Sequence, residues 1–144
     1  MNRPSRWSRR WVFIDSSAYY ALADASDRNH PAATAIFQRL TDVSCRLSTT
    51  NFVLAETYAL LLSRLPRADA VRIFTAYRQS MGTTIVRVRQ KDEEAGWAII
   101  THYADKEFSL VDAISFAVMD RLGISQAFAF DDHFRQYGRF EVLR

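Results

Sequence analysis

The sequence predicts an α/β fold, a three-layer α/β/α sandwich around a mainly parallel central sheet. Short apolar runs rich in β-branched and aromatic residues alternate with segments of helical period along the whole chain. The clearest run, Trp11-Val12-Phe13-Ile14, is continuously apolar, as expected of a strand covered on both faces. The intervals between runs suit helical crossovers, which parallel neighbours require.

That first run ends at Asp15 and is followed by a predicted helix over residues 17–23, a polar turn over 24–29, and a second helix with Pro31 in its first turn and Leu40 at its end. Residues 45–48 read as a second strand. Thr49, Thr50 and Asn51 offer N-caps for a strongly apolar helix over 52–63. Pro66 opens a helix over 67–81, which Gly82 stops. Residues 84–89 alternate as a strand with Arg87 and Arg89 on one face. That face reads first as the protective charge of an outer strand and second as part of a phosphate track. Asp92 starts a helix reaching Tyr103, residues 109–122 form another that Gly123 ends, 127–130 make a strand, and 140–143 make a last strand at the sheet edge.

A length of 144 residues matches one domain, expected over 11–144 behind a basic N-terminal arm, 1–10. With 49% apolar and 24% charged residues the composition is that of a soluble globular chain rather than a disordered one. Cys45 is the single cysteine, so no intramolecular disulfide can form, and no Cys/His spacing closes a structural zinc site. No apolar run has the length of a membrane span or the context of a signal peptide. A cytoplasmic protein with no membrane contact is the expectation. The net charge of +3 rests on Arg3, Arg6, Arg9 and Arg10 of the arm, which is either a phosphate-binding segment or a solvated end. Charge alone therefore does not establish an RNA ligand.

In open parallel sheets ligands bind beyond the carboxyl ends of the strands. Asp15 and Asp131 directly follow predicted strands, and Glu56 and Asp112 fall in early turns of helices that begin at the same edge. Each also has a structural reading. Asp112 closes a capping box with Ser109, and Asp131 or Asp132 can cap the segment after its strand. Asp15 ends a buried strand and must find a partner there, while Glu56 shares a helical face with Phe52 and Leu60. The segments around Asp15, Glu56 and Asp112 hold no neighbouring Lys or Arg, so a metal is the economical counter-charge. Oxygen donors without His or Cys select magnesium or manganese, as one or two ions, and such ions suit phosphodiester hydrolysis.

The segments Phe13-Ile14-Asp15-Ser16-Ser17, Ala55-Glu56, Ser109-Leu110-Val111-Asp112-Ala113 and Ala129-Phe130-Asp131-Asp132-His133-Phe134 together resemble the motifs of PIN-domain ribonucleases, notably the VapC-type toxins, over residues 12–142. The resemblance implies that Asp15, Glu56, Asp112 and Asp131 are the catalytic, metal-binding quartet and that Ser17 and Ser109 are polar supports. It implies a metal-dependent endoribonuclease with RNA as substrate, often a homodimer, held inactive by a cognate antitoxin. Ala129 departs from the Thr or Ser that many members carry two residues before the final Asp. The departure leaves Asp132 as a substitute for Asp131, although the strand register favours Asp131.

No substrate-binding residue is assigned. His30, His102 and His133 are read as surface or packing residues; His133, which follows the acidic pair, reads first as a solvated loop histidine and second as a residue that reaches substrate. Tyr19, Tyr20, Tyr58 and Tyr77 are read as packing rather than base-stacking side chains. Two other functions fit less well: an RNA-binding protein that keeps the fold but does not cut, and an aspartate-nucleophile phosphotransferase, whose Asp-x-Asp pattern fails at Ser17.

Overall fold

A computed structural model describes residues 11–144; the basic arm lies outside the described residues. The elements are β1 Trp11–Ile14, α1 Ser16–Ala23, α2 His30–Asp42, β2 Arg46–Thr50, α3 Asn51–Arg64, α4 Arg67–Gln79, β3 Thr83–Val86, α5 Gln90–His102, α6 Leu110–Leu122, β4 Gln126–Phe128, α7 Asp132–Tyr137 and β5 Glu141–Leu143. The strands form a five-stranded sheet in the order β3-β2-β1-β4-β5, with every neighbouring pair parallel. All strand ends of one kind therefore share one edge.

Strand β1 sits centrally and is buried along its whole length, as its unbroken apolar run requires. Phe13 pairs in register with Ser48 of β2 and Ala127 of β4, and Ile14 with Phe128. Asp15 follows at once, its amide donating to Phe128 O at 3.1 Å. Strand β3 stops at Val86, so Arg87 and Arg89 lie past its end rather than on a strand face. A hydrogen bond of 2.8 Å from Val88 N to Asn51 Oδ1 draws this segment to the start of α3 instead of along the sheet. Similarly β4 ends at Phe128, two residues earlier than the apolar run suggests, and Ala129 and Phe130 carry the chain on to α7. No helix among the described residues is long and apolar enough to cross a membrane.

Helix α6 is apolar nearly all round and buried from Asp112 to Met119, so it lies inside the molecule. It packs against α5 where Gly96 lets the backbones approach: a Cβ on Gly96 would stand 2.9 Å from Ile114 N and 2.8 Å from Ile114 Cγ1. Phe116 of α6 stacks on Tyr137 at 4.4 Å and meets Phe134 edge-on at 4.9 Å, which anchors the short α7. Asp92 of α5 is buried and paired with Arg121 of α6 through contacts of 2.7 and 2.9 Å.

The close approach at Gly96 sets a test of the α5–α6 contact. Gly96→Ala should destabilise the fold by about 1–3 kcal/mol through overpacking, although alanine is the better helix former by about 1 kcal/mol. Chemical denaturation measures this, and a variant as stable as the parent would show that Ile114 yields freely.

Candidate functional site

Parallel pairing brings the ends of β1, β2 and β4 together, and three carboxylates there cap helices. Asp15 is the N-cap of α1, its Oδ2 accepting from Ser17 N at 3.2 Å and Ser17 Oγ at 2.7 Å. Asp112 and Ser109 form the capping box of α6, with Asp112 N donating to Ser109 Oγ at 3.0 Å and Ser109 N to Asp112 Oδ2 at 3.4 Å. Asp131 caps α7 by accepting from His133 N at 2.8 Å. Capping and convergence at the edge are thus the same arrangement, since each cap stands where a strand or loop delivers a helix start.

Ser17 links two of these ends. Its hydroxyl donates to Asp15 while accepting from Phe130 N at 2.9 Å and Asp131 N at 3.3 Å. Glu56 lies half-buried on α3 beside Phe52 and Leu60, all three on one face, and accepts from Ser16 Oγ. Asp132 points elsewhere, with Oδ1 accepting from Arg135 at 3.2 Å and Arg144 at 2.9 Å; Asp131 is the residue that joins Asp112. Ala129 is fully buried and contributes only backbone at this end of β4.

His133 belongs to the cluster, which the sequence alone did not reveal. Its Nδ1 lies 2.6 Å from Asp112 Oδ2 and 3.2 Å from Asp131 Oδ1. Asp112, Asp131 and His133 present ligand atoms that all lie within 4.8 Å of one another, a spacing that can hold a metal ion. The signal was the position of His133 two residues after an N-cap, on the first helical turn facing back toward that cap. Phe108 holds the ring edge-on at 5.7 Å. The donor set therefore includes a nitrogen beside its oxygens.

Negative charge here is held without a lysine or arginine, His133 being the basic side chain in contact with it. Among the described residues no Lys or Arg forms an ion pair with Asp15, Glu56, Asp112 or Asp131, whereas buried Asp92 has Arg121. Asp15 Oδ1 is buried with no hydrogen-bond partner. Burial and the nearby Asp112 carboxylate push the Asp15 pKa up to about 7. Burial likewise raises Glu56 and Asp112, with Asp131 adding repulsion to both and the hydrogen bond from His133 pulling Asp112 back down in part. His133 is raised: its partial burial works against this, but the bond to Asp112 and the charge of Asp131 win. An orphaned buried carboxylate oxygen among acids that resist ionisation fits a divalent cation.

Between the ordinary carboxylate range and about 7 the folded chain keeps a proton on Asp15 that the unfolded chain has released, so stability falls as pH rises through that window. Glu56 and Asp112 act in the same direction. In EDTA, Asp15→Asn should therefore melt several degrees above the parent at pH 8 and close to it at pH 5. Parallel melting profiles for the two proteins would remove Asp15 as the source.

Comparison with known proteins agrees with this architecture. The chain is 37% identical over 131 residues to the 23S rRNA-specific endonuclease VapC20 of Mycobacterium tuberculosis, covering 91% of this chain and 97% of that protein. It superposes on the crystal structure of M. tuberculosis VapC20, described as a sarcin–ricin loop cleaving toxin, with a TM-score of 0.83, 34% identity, and coverage of 92% and 99% of the two chains. FitAcB from Neisseria gonorrhoeae shares the fold at a TM-score of 0.67 and 14% identity, over 92% of this chain and 96% of that one. Residues 12–140 match the model of the PIN domain family, a span that runs from β1 through α7 and contains Asp15, Glu56, Asp112 and Asp131. The chain accordingly belongs to the PIN domain family.

Proposed function

We propose that this protein is a metal-dependent endoribonuclease that hydrolyses RNA phosphodiester bonds as the toxin of a toxin–antitoxin pair. The observation that carries this reading is the acid cluster without a lysine or arginine partner, with the orphaned Asp15 Oδ1 and the nearby Asp112 carboxylate. The kinship with a 23S rRNA-specific endonuclease supports the reaction and points to the sarcin–ricin loop of 23S rRNA as the first substrate to test. The toxin description of that relative supports a protein antitoxin as partner.

Asp15, Glu56, Asp112 and Asp131 would hold magnesium or manganese, with His133 beside them. When bound, such an ion supplies a nucleophile at neutral pH and stabilises charge on the phosphoryl group. The chain's own residues do the positioning. Ser17 fixes the Asp15 carboxylate and the backbone at Asp131 in one relation, so the two acids cannot drift apart. Ser16 orients the half-buried Glu56, and Ser109 fixes Asp112. The starts of α1 and α6 favour negative charge at Asp15 and Asp112. His133, in contact with both Asp112 and Asp131, can hold or release a proton where two acids meet.

Purified, partner-free protein incubated with RNA containing the sarcin–ricin loop should give discrete cuts with magnesium or manganese and none with EDTA. Asp15→Asn should reduce cleavage to background and relieve the growth arrest caused by expression of the parent. Binding without cleavage across both metals would instead favour an RNA-binding protein of the same fold.

Supporting hydroxyls should matter less than the acids. Ser17→Ala should lower metal affinity or activity about 10–100-fold. Titration of manganese against cleavage rate separates the two effects, and full activity at ordinary metal concentrations would remove Ser17 from the positioning role.

A further inference from the structure

The carboxyl edge of the sheet carries more charge than the acid cluster uses. In the spatial order β3-β2-β1-β4-β5, Arg87, Asn51, Asp15 and Arg144 directly follow β3, β2, β1 and β5, and Asp131 with Asp132 comes after Ala129 and Phe130 beyond β4. The order reads basic, polar, acidic, acidic, basic. Neighbouring strands lie about 4.8 Å apart, so the outer arginines start roughly 10 Å to either side of Asp15.

Both ends of the edge open into hollows. Beyond β4 and β5 a hollow of about 490 Å³ is lined by Arg28, Arg135 and Arg144. It shares Asn29 and Phe130 with a smaller hollow of about 220 Å³ whose lining includes Ser17, Asp131 and Arg64. The two hollows therefore adjoin, the smaller at Ser17 and Asp131 and the larger at the arginines. Beyond β3 a hollow of about 450 Å³ is lined by Arg78, Arg87, Asn51 and Ala55, the last adjacent in sequence to Glu56.

Asp132 Oδ1 sits between two guanidinium groups, Arg135 and Arg144, so it holds both in place while balancing the charge of one. Among the described residues Arg28, Arg78 and Arg87 form no ion pair. Scattered surface arginines would be no more than solvated charge. Here they flank an acidic centre on both sides, and all of them are exposed.

We propose that the two arginine-lined hollows are phosphate-binding wings of the RNA cleft. The RNA strand crosses the sheet edge with its scissile phosphate over the acid cluster. Phosphates on one side reach Arg28, Arg135 and Arg144, and those on the other reach Arg78 and Arg87. The inference rests on the nuclease reading above and adds to it the track of the substrate. Guanidinium forks match phosphate oxygens, and such contacts set affinity and position rather than base preference.

The test uses an RNA hairpin bearing the sarcin–ricin loop sequence and two double variants, Arg28→Gln with Arg135→Gln and Arg78→Gln with Arg87→Gln. Binding is followed by fluorescence anisotropy over a salt series, in an Asp15→Asn background to prevent cleavage. Each double variant should flatten the plot of log affinity against log salt by roughly 1.4, about 0.7 for each single-strand phosphate that no longer meets a guanidinium. The corresponding Lys variants should restore the slope. With Asp15 intact, KM should rise several-fold and by more than kcat falls. Unchanged slope and KM in a parent that still cuts RNA through Asp15 would remove the wings and leave the nuclease reading standing. A parent that neither binds nor cuts RNA would remove both. Arginine-dependent binding of a polyglutamate peptide, with RNA binding unaffected, would reassign the hollows to an acidic protein segment and overturn the proposal.

Discussion

Negative charge gathered at one sheet edge, with no lysine or arginine to balance it, is the constraint around which this molecule is arranged. A buried carboxylate ordinarily finds a cation, and Asp92 does so with Arg121. The edge acids follow another course. They are held by hydroxyls, by backbone amides at helix starts and by one imidazole, all of which orient a carboxylate without fixing a permanent positive charge beside it. The result is a pocket with unmet demand for positive charge.

The fold supplies that arrangement at little cost in irregular structure. Parallel strands send all their carboxyl ends to one edge, and the helices that begin there bring amides with them. Rigidity comes from packing behind the edge. Phe116, Phe134 and Tyr137 pin α7, which fixes Asp131 and His133, while Gly96 lets α5 close on α6, the helix that bears Asp112. The short Ser17 side chain then spans the seam between β1 and β4, so neither acid depends on a mobile loop for its position.

Much of this was legible in the sequence for local reasons. An apolar run ending in Asp15, Thr50 before an apolar helix, and the Ser109–Asp112 box each declare themselves within a few residues. The order of elements and the convergence of Asp112 and Asp131 followed from them. Strand ends were less legible: β4 stops at Phe128 because the chain must leave the sheet to start α7, and β3 stops at Val86 because Asn51 captures the following segment. The place of His133 among the acids was not legible because a lone histidine has no spacing signal, and its partner Asp112 is 21 residues away in the chain. Of the arginines that line the hollows the sequence flagged Arg87 alone, as part of a phosphate track, and the others were hidden for a related reason. Beyond residue 10 the chain has 15 basic and 16 acidic side chains, so its overall balance conceals their segregation along one edge.

Three of the edge acids tie down helix starts, Asp15 and Asp131 as the N-caps of α1 and α7 and Asp112 as the acid of the Ser109 capping box of α6. An N-cap restrains the fraying of the turn that follows it, and its strength depends on the charge it carries. On the proposed reading, binding of an ion would change how often the first turns of three separate helices open. Amide hydrogen exchange at those turns would then read out occupancy of the proposed site, and the shared acids make the cluster a mechanical junction between the starts of three helices.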